Sequence, residues 1–487
     1  MTRSLRSQLQ SESASHEGSS MMRPPHRQEE SIRESVLYHD KMQPSSTIIF
    51  SISNAMIGPT ILLLPLNIAN IGILSSSIVA VVIGWISHRT CQLTHLHTKL
   101  DEIEYLPAIK RILGSGWMYL YFLSSVLILW MAAMIYFLSL SDVMYSCVQL
   151  IFSNHSFPPE SKTVFDQFSY QYTGIILMAL VGGFFFLRKL GRILDFAEKG
   201  IYSIGIEAIF SFYVGIKAIL DGKVNIVWNS EDIKKDIGMF VASASLVETI
   251  GVYATAFIIH NAVVAIVRKN KQQKNNYRDV RIAYIITFLM YIVTGAFGAI
   301  GIYTYIPSDV VPNTVLSKEL FRDPDLATKI LLIVTQIFTA LQLMSVLPVL
   351  NNVIRTQLFI MIYGEHGVPP SYSYIIFNIL FILSLLITQM FNISPNKVMT
   401  YAGAFIGFII TYLLPVATHV KTIRTRQKRE RERYGLLDKE GAETIADFIQ
   451  AKPKIYYAWE YILYGVIMAI GTAIFVLQIL KVFNVIN

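Results

Sequence analysis

The sequence predicts an all-α polytopic membrane protein with about eleven transmembrane helices. Three observations predict it. Only 15% of the 487 residues are charged, against about 25% in a soluble domain. Hydrophobic residues make up 53% of the chain and its mean hydropathy is +0.48, more apolar surface than a soluble core can hide. Apolar runs of about 20 residues, the length a helix needs to cross ~30 Å of hydrocarbon, recur along the chain.

Residues 1–45 are polar, serine-rich and without an apolar segment, which reads as a disordered cytoplasmic tail. No cleavable signal peptide is visible, so the first apolar helix serves as its own insertion signal. Spans are predicted over 46–69, 73–96, 117–152, 171–188, 194–219, 237–268, 280–304, 327–360, 371–391, 396–419 and 456–483. The third and eighth are longer than the hydrocarbon layer requires and are expected to tilt or project. Ten helices thus form a core at 46–419, with halves at 46–219 and 237–419. A basic cytoplasmic loop follows at 420–455, then an eleventh helix at 456–487.

The net charge of +8 matters less than its distribution. With the amino terminus in the cytoplasm, 31 of the 41 Lys and Arg fall on that side, as the positive-inside rule requires. The charge therefore implies a lipid bilayer and no nucleic acid. "NHS" at Asn154–Ser156 then lies in an outer loop, which makes Asn154 a glycosylation candidate. "KTIRTRQKRERERYGLLDKE" predicts a helical extension with a basic surface, an orienting charge run that also suits anionic lipid. Within it "ERYGLL" has the form of an acidic dileucine sorting signal. The membrane is then endolysosomal, vacuolar or plasma membrane. Cys91 and Cys147 lie toward opposite faces, so no bridge is expected.

No metal-ligand cluster, phosphate loop or nucleophile elbow occurs. The sequence argues against an enzyme and implies no cofactor, so the chemistry must come from backbone and a few buried polar groups. "SNAMIGPTILLLPLNIANIG", Ser53 to Gly72, concentrates the signal. A proline within a helix removes a donor and clashes with the carbonyl four residues back. Pro59 thus frees the carbonyl of Ala55 beside the flexible Gly58, and Pro65 frees that of Ile61. Freed groups cost several kcal/mol each in hydrocarbon unless protein, a cavity or a ligand satisfies them. A half-helix starting at Thr60 offers amides and a positive dipole end to a carboxylate. The half ending near Asn54 and Ala55 offers carbonyls to a cation or an ammonium. A plain proline kink packed by neighbours is the competing reading.

The sixth span, "IGMFVASASLVETIGVYATAFIIHNAVVAIVRK", is also irregular. It holds Gly251, small residues at Ala242–Ser245 and Ala254–Ala256, Glu248, and His260–Asn261. A repeat of five spans necessarily inverts in the membrane. Interruptions at matching places in spans 1 and 6 mark the central site of a secondary transporter.

At these residues the chain resembles the amino acid/auxin permease family, related to vesicular, proton-coupled and sodium-coupled neutral amino acid transporters. The family's first helix runs close to N-x-x-x-G-x-G-I/L-L-x-L-P before a glycine. Asn54, Gly58, Leu62, Leu64, Pro65 and Gly72 match it. Phe257 and His260 fit the family's F-x-x-H in span 6, and "VLPVLNNVIRTQLF" resembles its span 8, with Pro348 and Arg355 in order. The likeness covers 46–419. It implies a LeuT-like 5+5 inverted repeat with discontinuous helices 1 and 6, and symport of small amino acids with Na⁺ or H⁺. It also implies a cation site at Asn54 with a span 8 hydroxyl, Thr339 or Ser345. Here Thr60 replaces the usual second glycine and Pro59 removes an amide, which disfavours bulky substrates.

The expected substrate site is Ile57, Gly58, Thr60 and Ile61 with Tyr253, Ala254 and Phe257. Glu207, midway along span 5, and Glu248, before the expected break in span 6, are candidate proton carriers, with structural ties as the alternative. His260 is a candidate inner gate or a structural histidine. Asp142 is expected to be wetted near the outer end of span 3. The function predicted is a secondary active symporter of small neutral amino acids coupled to H⁺ or Na⁺. A non-transporting amino-acid-sensing receptor of the same fold is the alternative.

Overall fold

The computed structural model describes residues 42–482 apart from 100–101, 103, 153–156, 159–166, 187–199, 223–225, 230–236, 241–244, 306–313, 317–324, 364–368 and 441–453. Asn154 and the tail lie outside the described residues.

The first apolar segment forms two helices, α1 (Ser45–Ile57) and α2 (Thr60–Ile71), bent by 56° at Gly58–Pro59. Next come α3 (Ile73–Leu96), the short α4 (Tyr105–Ile112), α5 (Ser115–Ile151), α6 (Tyr170–Phe185) and α7 (Gly200–Leu220). The second half opens on two short parallel strands, β1 (Ile226–Asn229) and β2 (Ile237–Phe240), with Ile226 opposite Ile237. It continues with α8 (Ser245–Ala256), α9 (Val263–Val267), α10 (Asn276–Tyr305), α11 (Leu326–Tyr363) and α12 (Ser371–Met390). Then α13 (Pro395–Tyr401) widens into π-type turns at Ala402–Leu413 and narrows again into α14 (Leu414–Glu440). Last is α15 (Lys454–Val482).

Helices fall on every predicted apolar segment. Among the described residues, eight are long and apolar enough to cross a membrane by themselves, and the bent α1–α2 pair makes nine. The shorter apolar α6 and the interrupted α8–α9 occupy the fourth and sixth predicted segments. One boundary is corrected. Residues 237–240, expected to begin the sixth span, form β2, and the helix starts only at Ser245. "IGMF" is as acceptable to a strand as to a helix, and a short apolar run carries no period to decide between them.

The closest helix packing sorts into two groups. α5 packs along α11, and α6 lies against α5, α11 and α12. On the other side α10 packs against α1, α2 and α3, and α8 against α2 and α3. α7 joins the groups through α10 and α11, while α8 also contacts α13 and the π segment. Small residues set the closest approaches. A Cβ at Gly298 on α10 would lie 2.7 Å from Cγ of Pro65, so glycine lets α10 press against the proline face of α2. Gly251 serves α8 similarly, with Thr400 at 3.0 Å from where its Cβ would sit. Gly251 therefore lies within regular helix, and the interruption of the sixth span comes after it.

Polar ties lock the rest. Asn67 on α2 bonds Asn396 at 2.9 Å. Arg355 on α11 donates to the Phe185 carbonyl at 3.0 Å, ending α6. At the basic end, Gln43 pairs through its backbone with Lys269 and Lys271, tying the start of α1 to the segment after α9. At the other end of α7, Lys217 pairs with Asp325. Hydrogen bonds from Lys217 and Thr328 hold the Asp325 carboxyl down at about 2. Asp142 is corrected from wetted to buried, 1% exposed within the bundle, because α5 packs along α11 to this depth, where Ser146 one turn on accepts from Gln336 of α11 at 3.0 Å.

Gly298→Val is expected to lower stability by roughly 1–3 kcal/mol through overpacking. Gly465→Ala, where a Cβ meets nothing within 4 Å, should be neutral or stabilising by up to about 1 kcal/mol. Thermal unfolding of both variants in detergent checks the contrast.

Candidate functional site

Gly58 ends α1 at φ +37° and ψ −142°. An L side chain rarely adopts that conformation. A Cβ there would also sit 2.6 Å from the hydroxyl oxygen of Tyr136 on α5. Pro59 restarts the chain as helix, at φ −73° and ψ −7°, where its missing amide is harmless. No side chain caps the first turn of α2, so Thr60 and Ile61 begin a helix whose dipole is uncompensated at that end.

The sixth segment unwinds over Phe257–Ala262, between α8 and α9. In unbroken helices the carbonyl of Met56 would accept from the amide of Thr60, and those of Ala256 and Phe257 from His260 and Asn261. Side-chain hydroxyls serve all three instead. The Tyr291 hydroxyl, from α10, lies 2.7 Å from the Met56 carbonyl and 3.0 Å from that of Ala256. The Phe257 carbonyl accepts from Ser87 on α3 at 2.7 Å and from Tyr284 on α10 at 3.1 Å. The two breaks therefore meet across one tyrosine, whose single proton faces two acceptors.

Aromatic rings wall the junction. Tyr253 stacks on Phe257 at 6.3 Å, Phe257 stacks on Tyr284 at 6.1 Å and meets Tyr291 edge-on at 5.3 Å. The Tyr253 hydroxyl pairs with Ser76 at 2.8 Å. Thr60 turns its hydroxyl to Tyr291. Ile57, Ile61, Ala254 and Phe257 are buried beside them. The structure thus brings together Ile57, Gly58, Thr60, Ile61, Tyr253, Ala254 and Phe257.

The candidate ion residues scatter more widely. Glu207 on α7 is buried, its Oε1 accepting from Thr339 on α11. Its Oε2 is buried with no hydrogen-bond partner. Tyr136, which covers Gly58, lies within Coulombic reach of this carboxyl. Asn54 has a buried, unpartnered Oδ1, so no hydrogen bond joins it to Thr339 or Ser345. Ser345 donates within its own helix, to the Gln342 carbonyl at 2.7 Å. Ala55 is exposed. Glu248 pairs with Lys481 of α15 at 3.0 Å, 40% exposed. It stands eight residues before Ala256, about 12 Å along the helix at 1.5 Å per residue. His260 is fully buried inside the unwound segment, its Nε2 2.9 Å from the Thr90 hydroxyl.

Sequence reasoning missed Tyr136, Ser76, Ser87, Tyr284 and Tyr291. Among 26 tyrosines none stands out by position. The available signal was only that a break orphans carbonyls in need of donors; the sequence pointed to those of Ala55 and Ile61, whereas hydroxyls on α3 and α10 serve those of Met56, Ala256 and Phe257.

Comparison with known proteins places this arrangement. A neutral amino acid transporter 9 from Rattus norvegicus is 24% identical over 421 residues, covering 77% of this chain and 73% of its own length. One from Danio rerio is 28% identical over 176 residues, 36% of this chain and 31% of that protein. A Caenorhabditis elegans protein named sodium-coupled neutral amino acid transporter 9 homolog is 26% identical over 203 residues, 41% and 32% of the two chains. The matches to the Danio and Xenopus proteins thus span about a third of those relatives' length. Among solved structures, MhsT in complex with L-phenylalanine superposes with a TM-score of 0.53 at 12% identity, covering 89% of this chain and 98% of that one. That likeness gives the LeuT-type fold. The family model described as transmembrane amino acid transporter protein matches residues 45–438, and the chain belongs to that family.

Proposed function

We propose that this chain is a secondary active transporter of small neutral amino acids, driven by a cation gradient. The carrying observation is the junction at Tyr291, where two orphaned carbonyls share one hydroxyl proton. A substrate ammonium brings three donors to that deficit. Its carboxylate meets the uncapped amides of Thr60 and Ile61 at the positive end of α2. Tyr136 over Gly58 and the Tyr253–Phe257–Tyr284 stack crowd the junction, which favours short side chains. Alternating access follows if α1, α2, α3, α8, α9 and α10 rock against α5, α6, α11 and α12.

Protons are the coupling ion this reading favours. An ionised carboxylate is costly in the bundle. Glu207 has one hydroxyl donor and one bare oxygen. Taking up a proton removes that cost, and Tyr136 relays the change to the break in the first span. Sodium is the second reading, favoured by the unpartnered Oδ1 of Asn54. The relative named as sodium-coupled supports ion coupling and lends its weight to this second reading.

Uptake of a mixed amino-acid panel into proteoliposomes under imposed H⁺ or Na⁺ gradients tests the proposal. Saturable, gradient-driven uptake of small neutral species is expected. Binding without uptake would favour the receptor reading, and uptake indifferent to both gradients would refute coupling.

Tyr291→Phe removes the shared donor and should lower thermal stability in detergent by about 1–3 kcal/mol, the cost of a buried acceptor left unpaired. Added substrate should restore part of that loss, as ligand binding to the native state does.

Glu207→Gln keeps shape and removes the titrating group. Response of uptake to a pH gradient should vanish, while exchange of internal for external amino acid persists. If Asn54→Ala instead abolishes a sodium requirement and Glu207→Gln leaves the driven rate unchanged, sodium is the coupling ion.

A further inference from the structure

A cavity of ≈ 490 Å³ opens between α3 and α10 on the outside of the bundle, within the ~300–1,000 Å³ range of ligand sites. Its wall is apolar: Val81, Trp85, Ile285 and Phe288, the first three exposed at 52%, 46% and 52%. Its floor is Phe257 and Tyr284. Gly84 brings the floor close, since a Cβ there would lie 3.1 Å from the Phe257 ring. The polar lining is concentrated in His88, Arg89 and Arg281.

Both arginines are exposed and lie within Coulombic reach of His88. Neither has a carboxylate partner among the described residues. Arg89 stands over the Trp85 ring at 5.8 Å. Among the described residues, the hydrogen bond to His88 comes from Gln92, at 3.0 Å. Arg89 lies in the last third of α3, and Arg281 in the second turn of α10. The two therefore share the end of the bundle that carries most of the basic residues, at a depth where long side chains reach the interface. Two cations held together on an apolar wall repel each other unless an anion joins them.

We propose that this cavity binds an anionic phospholipid. Its phosphate and acidic headgroup sit between Arg89 and Arg281, and an acyl chain lies along Trp85, Ile285 and Phe288 toward Phe257. A free phosphate would leave the apolar wall uncovered, and a neutral lipid would leave the guanidinium pair uncompensated. The site is coupled by contact to the unwound sixth span, because Phe257 is both its floor and the ring against which Tyr253 and Tyr284 stack.

Trp85 supplies the readout. The full-length chain is placed in phosphatidylcholine nanodiscs doped with brominated phosphatidylserine or, separately, brominated phosphatidylcholine. Quenching at position 85 is taken as the difference between the wild type and Trp85→Phe. Brominated phosphatidylserine should quench at a severalfold lower mole fraction than brominated phosphatidylcholine. Each arginine is expected to contribute roughly fivefold, so Arg89→Gln/Arg281→Gln should abolish the preference and Arg89→Lys/Arg281→Lys should retain most of it. Equal quenching of the wild type by the two lipids, as by ordinary boundary lipid, overturns the proposal. So does a preference that survives in the double glutamine variant. The wild-type comparison decides by itself if that variant does not fold.

Discussion

Everything in the centre of this molecule follows from one constraint: a peptide carbonyl inside hydrocarbon must find a donor. The breaks at Gly58–Pro59 and Phe257–Ala262 leave the carbonyls of Met56, Ala256 and Phe257 without helical partners. Tyr291, Ser87 and Tyr284 supply hydroxyls to them. That requirement explains why α10 runs so close to α1 and α2, and why Gly298 faces Pro65. A side chain there would push Tyr291 away from the carbonyls it serves.

The same constraint links chemistry to motion. Backbone groups satisfied by side chains can exchange partners, whereas groups inside a regular helix cannot do so without unwinding. The two breaks are therefore where a ligand can compete. The hydroxyl array sits on α3 and α10, within one packing group, while Tyr136 of α5, in the other, covers Gly58 and Thr339 of α11 meets Glu207. Glu207, on the bridging α7, touches that second set. Glu207 thereby lies between the two packing groups.

Much of this was legible in the residues because proline and glycine act locally. Pro59 beside Gly58 cannot continue a helix, whatever surrounds it, and the break falls there. The helices also fall on the predicted apolar runs, because membrane spans are set by length and hydropathy. What was not legible depends on which helix faces which. Glu248 and Glu207 look equivalent in sequence, yet one meets Lys481 at a partly exposed edge and the other is buried against Thr339. Gly251 suggested irregular backbone and proved to be a packing glycine, because its neighbours Thr400 and Gln478 arrive from distant spans. The π-type turns at Ala402–Leu413 left no signature in the sequence; they lie where this segment packs against α5, α8 and α15.

The central claim is that the two broken spans jointly hold an amino acid. Substrate protection of single cysteines tests it most directly. In a background lacking Cys91 and Cys147, Thr60→Cys and Ala254→Cys are labelled in proteoliposomes with a small thiol reagent, with and without a transported amino acid. The account predicts that substrate slows labelling at both positions, one on each broken span. Labelling that is unchanged by substrate at both, while uptake is intact, would contradict it.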